Sequence, residues 1–193
     1  MRTWSMALCV AAAAAMVGMA GCSKKQSEQS ASGEAALGQL TGTASGVRWT
    51  IPKRWTDQGQ RPMRVATYAI PASAGDSDAG ECAVFYFGND QGGSVDANID
   101  RWVGQFENPG MPAKATKDVN GMTVTLVQVA GTYLAPGGPM MQSQGKKDNF
   151  RLLGAIVQAP QGSVFFKLTG PSKTVADAES EFNAMIGSLA KQG

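Results

Sequence analysis

The chain has 193 residues, with 17 Lys and Arg against 15 Asp and Glu, and no His. So even a charge balance excludes nucleic-acid binding driven by bulk electrostatics. The lack of His excludes Ser-His-Asp and Cys-His catalysis and the usual His-based zinc and copper sites, while carboxylate chemistry and oxygen-ligand metal sites stay open.

Arg2 is the one charge within residues 1–21. An apolar run from Met6 to Val17 follows, rich in Ala, and then small residues. This run is shorter than the roughly 20 apolar residues of a membrane span. In Val17-Gly-Met-Ala-Gly-Cys22, small Ala20 and Gly21 directly precede a thiol. The stretch resembles a bacterial lipobox, with Met19 where Leu is commonest. The resemblance implies cleavage before Cys22, a diacylglyceryl thioether on Cys22 and usually a further acyl chain on the new N-terminus. Two or more such chains hold a protein firmly to a membrane. Ser23 stands where Asp would favour inner-membrane retention. The expected address is therefore the cell envelope, lipid-anchored and facing the periplasm, at the outer membrane where there are two membranes. Cys9 leaves with the signal and Cys22 takes lipid, so Cys82 has no partner for an intramolecular disulfide.

Residues 22–45 are Ser, Gln, Lys, Gly and Ala with almost nothing bulky to bury, which predicts a flexible tether. A single globular domain is expected over 46–193, of a length that supports a real core. Val47–Ile51 alternates and stops at Pro52, as a strand does before a turn. Met63–Ile70 is a second strand between Pro62 and Pro71. Glu81–Phe87 is apolar on both faces, the pattern of a central strand. From Ser94, the residues Val95, Ile99, Trp102, Val103 and Phe106 form one helical stripe, with Ser94 as N-cap and Asp96 near the positive end.

Ala115–Val119 and Met122–Tyr133 read as strands joined by Asn120-Gly121, a hairpin signal. Their apolar phase slips between Leu126 and Val127, which predicts a bulge or burial of both faces. A long irregular connection occupies 135–149. Phe150–Val157 and Ser163–Leu168 are further strands. Val175, Ala178, Phe182, Met185, Ile186 and Leu189 define a closing helix, with Thr174 and Asp177 at capping-box spacing. The order β-β-β-α-β-β-β-β-α predicts an α+β fold, a largely antiparallel sheet with a helix on each face.

That order resembles the PsbP-like α/β sandwich, a group that includes the DcrB-like bacterial lipoproteins. The matching residues are Trp49-x-x-Pro52-x-x-Trp55 at the first strand and turn, and Phe165-Phe-Lys-Leu168 before a helix ending Met185-Ile-Gly-Ser-Leu189. The resemblance spans about 46–190. It implies a domain that binds other macromolecules and performs no catalysis, and it carries no site residues over.

Lys53, Arg54, Arg61 and Arg64 cluster in sequence around Trp55, with Asp57 alone opposing. They form the candidate binding surface, for an envelope protein, cell-wall polymer or acidic headgroups, with Trp55 as anchor. The loop 135–149 is a second contact candidate. Asp76, Asp78 and Glu81 could offer oxygen ligands to calcium, but Gly80 stands where a further ligand belongs, so an acidic surface loop is expected and no metal. Gly88–Ser94 lacks the Gly-Lys-Ser/Thr ending of a phosphate loop and reads as a strand-to-helix turn. Cys82 has no basic neighbour to activate it, and Met140 and Met141 have no His or thiol beside them to complete a copper site. The expected function is a membrane-anchored, non-enzymatic binding or accessory module without cofactor or nucleic acid. Two alternatives remain: a small-ligand carrier with a pocket between sheet and helix, and a carboxylate hydrolase requiring two of Asp100, Glu107 or Asp118 to converge.

Overall fold

The computed structural model describes residues 39–135 and 145–192. The lipobox with Cys22, most of the expected tether, and Met140 and Met141 in the long connection lie outside the described residues. The elements are β1 (Thr41–Ala44), β2 (Val47–Thr50), β3 (Thr56–Asp57), β4 (Ala66–Ile70), β5 (Gly80–Tyr86), α1 (Val95–Val103), β6 (Phe106–Glu107), β7 (Ala113–Val119), β8 (Met122–Leu134), β9 (Lys146–Ala159), β10 (Gly162–Pro171), α2 (Ser172–Gly187) and β11 (Ala190–Lys191).

An eight-stranded sheet runs β3-β4-β5-β10-β9-β8-β6, with β7 also paired to β8, and a smaller sheet runs β1-β2-β11. Every described strand pair is antiparallel. The two helices serve opposite faces of the large sheet. On β9, Leu153, Ala155 and Val157 share a core with Val175, Phe182 and Met185 of α2. The alternate residues Leu152 and Ile156 share the other core with Ile99 and Trp102 of α1. The α+β sandwich expected from the order of elements is the observed fold.

Strand period explains the double burial. On β8, Val124 belongs to the α2-side core, and Val127 and Val129 to the α1 side. Pairing with β9 runs without interruption from Val124 to Gly131, so the slip at Leu126–Val127 comes from two-sided burial, and the register shift lies later, between Gly131 and Tyr133. The central position of β5, flanked by β4 and β10, likewise matches its apolar run.

Several boundaries differ from the sequence reading. β1 falls inside the expected tether, where Gly42 lies opposite Trp49 of β2. A Cβ at Gly42 would come within 2.4 Å of the Trp49 ring, so the small residue makes room for the indole. Helix α1 stops at Val103, and Gly104 is its C-cap. Phe106 therefore leaves the helix and pairs with Tyr133 in β6, while still packing in the α1-side core. The second expected strand starts only at Ala66, because Arg61 and Arg64 exchange backbone hydrogen bonds in a tight turn with Pro62 and Met63 at its tip.

Helix α2 has no capping box. Pro171 holds its N-cap position with no side-chain bond. Asp177 instead accepts hydrogen bonds from Ser73 and Lys173. One orphan donor at the helix start is met from a distant loop, where Asp76 accepts from the Thr174 backbone N–H at 2.9 Å and from its hydroxyl at 2.6 Å.

Candidate binding surfaces

The expected basic surface is split by ion pairing. Arg54 Nε and Nη2 both donate to the Glu181 carboxylate of α2, at 3.0 and 2.6 Å. Arg64 lies 2.7 Å from Glu81, and Arg61 reaches the same carboxylate at 3.8 Å. Lys53 and Arg61 are exposed. Trp55 does not serve as an exposed anchor. It is 3 % exposed, packed near Tyr68, with its indole N–H donated to Glu181 at 2.8 Å. An indole has one donor and a large apolar body, so the half-buried Glu181 carboxylate lets it join the core without an unsatisfied group. Trp49 follows the same rule, donating to the Tyr68 hydroxyl at 2.9 Å and meeting Phe166 edge-on. Both tryptophans of the Trp49-x-x-Pro52-x-x-Trp55 stretch are thus core residues.

The exposed apolar group in this region is Met63, 75 % exposed at the tip of the Arg61–Arg64 turn. Its φ of 65° follows Pro62, the arrangement of a type II turn, where Gly or Asn is the usual choice at that position. On the far side of Arg54, a concavity of about 430 Å³ opens between the Pro52–Arg54 turn and α2, lined also by Gln39, Thr50 and Met185.

The other sequence candidates resolve into structural roles. Asp76 caps α2, Asp78 pairs with Lys147 at 2.6 Å, and Glu81 pairs with Arg64, so the three acids face three different elements. No group of three Cys, Asp or Glu converges among the described residues. Gly88–Ser94 is a tight turn: Gly88, Asp90, Gly92 and Gly93 all have positive φ, and the buried Asn98 donates to the Gly92 and Ser94 carbonyls. Ser94 caps α1 as expected, accepting from the Ala97 N–H at 3.2 Å. Cys82 is fully buried, and burial pushes its thiol well above the ordinary value. Asp100 is exposed on α1, Glu107 pairs with Lys146, and exposed Asp118 accepts from the Gly121 N–H of the hairpin.

A second concavity, of about 180 Å³, lies between α1 and the sheet. Its walls are aromatic: Phe85 and Phe87 stack with centroids 6.1 Å apart, Phe87 also meets Phe165, and Trp102 closes the helix side. Lys167 of β10 enters this apolar space. The register explains why: Phe165 and Lys167 share one face of β10, opposite Phe85 and Ala83 of β5. Lys167 Nζ donates to Gln105 Oε1 and, at 3.4 Å, weakly to the Tyr133 hydroxyl. Burial first, and the Arg64 charge second, push its ammonium down to about 8. Arg101 stands at the rim, donating to Asn98 at 3.0 Å. Sequence reading passed over Lys167. The available signal was a lone cation within Val164-Phe-Phe-Lys-Leu168, in phase with a core Phe.

No protein-family model matches the sequence, and no curated protein matches it. Solved structures do. The solution structure of a cyanobacterial PsbP protein from Synechocystis superposes with a TM-score of 0.51 at 12 % identity, covering 91 % of this chain and 98 % of that one. A protein of unknown function from Pseudomonas aeruginosa gives 0.47 at 14 % identity, over 80 % of this chain and 98 % of its own. At these identities the first likeness is one of fold: the sheet and its two helices are PsbP-like.

Proposed function

We propose that this chain is a membrane-anchored, non-enzymatic binding or accessory module of a bacterial cell envelope, facing the periplasm and held at the outer membrane where there is one. The observation that carries the reading is Val17–Cys22, small residues followed by a thiol at the end of a short apolar run. The fold is consistent with it, since an antiparallel sandwich covered by a helix on each face offers surfaces more readily than a deep cleft. Six of the described acids support it too. Asp76, Asp78, Glu81, Glu107, Glu179 and Glu181 each hold a cation or cap a helix. A carboxylate committed to such a partner is a poor general acid or base.

The contact surface in this reading is the Arg61–Arg64 turn. Met63 supplies the apolar tip that Trp55 does not, with Arg61 exposed beside it. Arg64 is less suited to contact an outside partner because it already pairs with Glu81 and lies over the Phe85 ring. The partner is an envelope protein or a cell-wall polymer.

The test is fractionation and in-cell crosslinking of the tagged wild type, Cys22→Ala, and Arg61→Glu with Met63→Ser. Wild type should sediment with membranes and crosslink to one envelope component. Cys22→Ala should turn soluble and lose that product. A soluble wild type overturns the anchor, and an undiminished crosslink in the turn variant overturns the surface.

A further inference from the structure

The cavity under α1 holds an ammonium bonded to neutral groups alone, with the Tyr133 ring centroid 5.5 Å from it. Lys167 ends in an aromatic pocket, where an aliphatic side chain would pack without desolvating an ammonium. Its two bonding partners, Gln105 and Tyr133, are both neutral. The carboxylate whose charge acts on it is that of Glu81, which already lies 2.7 Å from Arg64 and 3.8 Å from Arg61. Arg101 adds a second cation at the rim, bonded to the neutral amide of Asn98. The pocket therefore has excess positive charge at its polar end and flat apolar walls elsewhere. A bare inorganic anion would leave the rings unused, and a neutral hydrocarbon would leave the Lys167 charge without an anion. A volume of about 180 Å³, below the usual range for drug-sized ligands, limits the occupant to one ring with a short acidic group.

We propose that this cavity binds a small aromatic carboxylate, its ring against Phe85, Phe87 and Trp102 and its carboxylate on Lys167 and Arg101. The site belongs to the sheet-and-helix carrier arrangement that the sequence leaves open, and it does not depend on the lipid anchor or on the Arg61–Arg64 surface. Phe87, 37 % exposed, forms the entrance. The depressed ammonium fits the geometry. It is still mostly protonated at neutral pH, so it can hold a carboxylate, and a bound carboxylate would draw its proton affinity back up.

The experiment is a titration of the isotope-labelled intact chain with sodium benzoate, followed by NMR at the Trp102 indole, the Phe87 ring and the Lys167 side chain. Benzyl alcohol and inorganic phosphate serve as neutral and ringless probes. Benzoate should give saturable shifts at these three residues by about 10 mM, with both comparison probes at least about tenfold weaker. Arg101→Gln and Phe87→Ala, both at exposed positions, should each weaken benzoate severalfold while the spectrum stays folded. Lys167→Gln should abolish the shifts. Three results would overturn the site: no saturable shift at the three residues, binding of the alcohol equal to benzoate, or full benzoate affinity in the folded Arg101 and Phe87 variants. Phosphate binding equal to benzoate would overturn the aromatic part and thus the proposal as stated.

Discussion

Glu181 accepts the indole N–H of Trp55 at 2.8 Å, joining the middle of α2 to the turn after β2 across 126 residues of sequence. The same carboxylate takes two N–H groups from Arg54. Replacing Glu181 by Ala strands the Trp55 donor at a buried site and should lower unfolding free energy by about 1–3 kcal/mol at neutral pH. Glu181→Gln keeps an acceptor for the indole and should lose less. Arg54, more than the indole, holds the Glu181 carboxyl below the ordinary glutamate value of 4.5. A folded value below the unfolded one means stability that is present above pH 4.5 and lost as pH falls through the folded value. The gap between wild type and Glu181→Gln in urea denaturation should therefore be open at pH 7 and close in strong acid. A gap that persists there would show that the ionised carboxylate is not what ties the turn to the helix.

Asp76 and Thr174 form the second long-range cap. Asp76→Ala should cost about 0.5–2 kcal/mol, the usual loss for a helix cap, and Thr174→Ala, which keeps its backbone bond to Asp76, about 0.5–1.5 kcal/mol for the lost hydroxyl bond. Because both remove the same bond, the double variant should cost clearly less than the sum, by about 0.5 kcal/mol or more in a double-mutant cycle. Strict additivity would mean that the loop and the helix start are stabilised independently.

These two contacts also mark what the sequence could not disclose. Long periodic stretches were legible: the α1 stripe through Ile99 and Trp102, the two-faced apolar runs of β5 and β9, and the Asn120-Gly121 hairpin, whose two residues have φ of 52° and 73°. Local pattern decides each of those. The burial of Trp55 is decided by Glu181, the cap of α2 by Asp76, and neither partner is near in sequence. β1 carries almost no apolar residue, so it is stabilised by its ladder to β2 and by the space Gly42 leaves for Trp49. Lys167 reads as an ordinary strand charge until the register places Phe165, Phe85 and Ala83 around its face.

Gly154 gives a steric prediction. It sits on β9 beneath Trp102, and a Cβ there would fall 2.4 Å from the indole and 2.7 Å from Val127. Neither neighbour is a flexible chain end, so Gly154→Ala should destabilise by about 1–3 kcal/mol and shift the Trp102 indole resonance. Gly187, at the end of α2, has nothing within 4 Å of the same position. There Gly→Ala should be neutral or stabilise by about 0.5 kcal/mol, through helix propensity. Equal effects at the two sites would contradict the packing of Trp102 against β9.

Lys167 supplies the last prediction, with its sign set by linkage. The groups around its ammonium are Tyr133 from β8, Gln105 and Arg101 on and beyond α1, Arg64 before β4 and Glu81 from β5. Burial lowers its pKa from 10.5 to about 8. Between those values the unfolded chain binds more protons than the native one, so the Lys167 contribution makes stability rise with pH across that window. Lys167→Met removes the buried charge. It should be more stable than wild type at pH 7, by about 1–3 kcal/mol, with the advantage shrinking as pH rises towards 10.5. Paired denaturation curves at pH 7 and 10 isolate the effect, because other groups titrate alike in both proteins. An advantage that does not change with pH would mean that the ammonium is well solvated. Adding benzoate at pH 7 should then narrow the gap between the two proteins as its concentration rises, because a ligand that binds only the native wild type stabilises it by mass action and leaves Lys167→Met where it was. A gap that benzoate leaves unchanged would separate the depressed ammonium from any role in holding a carboxylate.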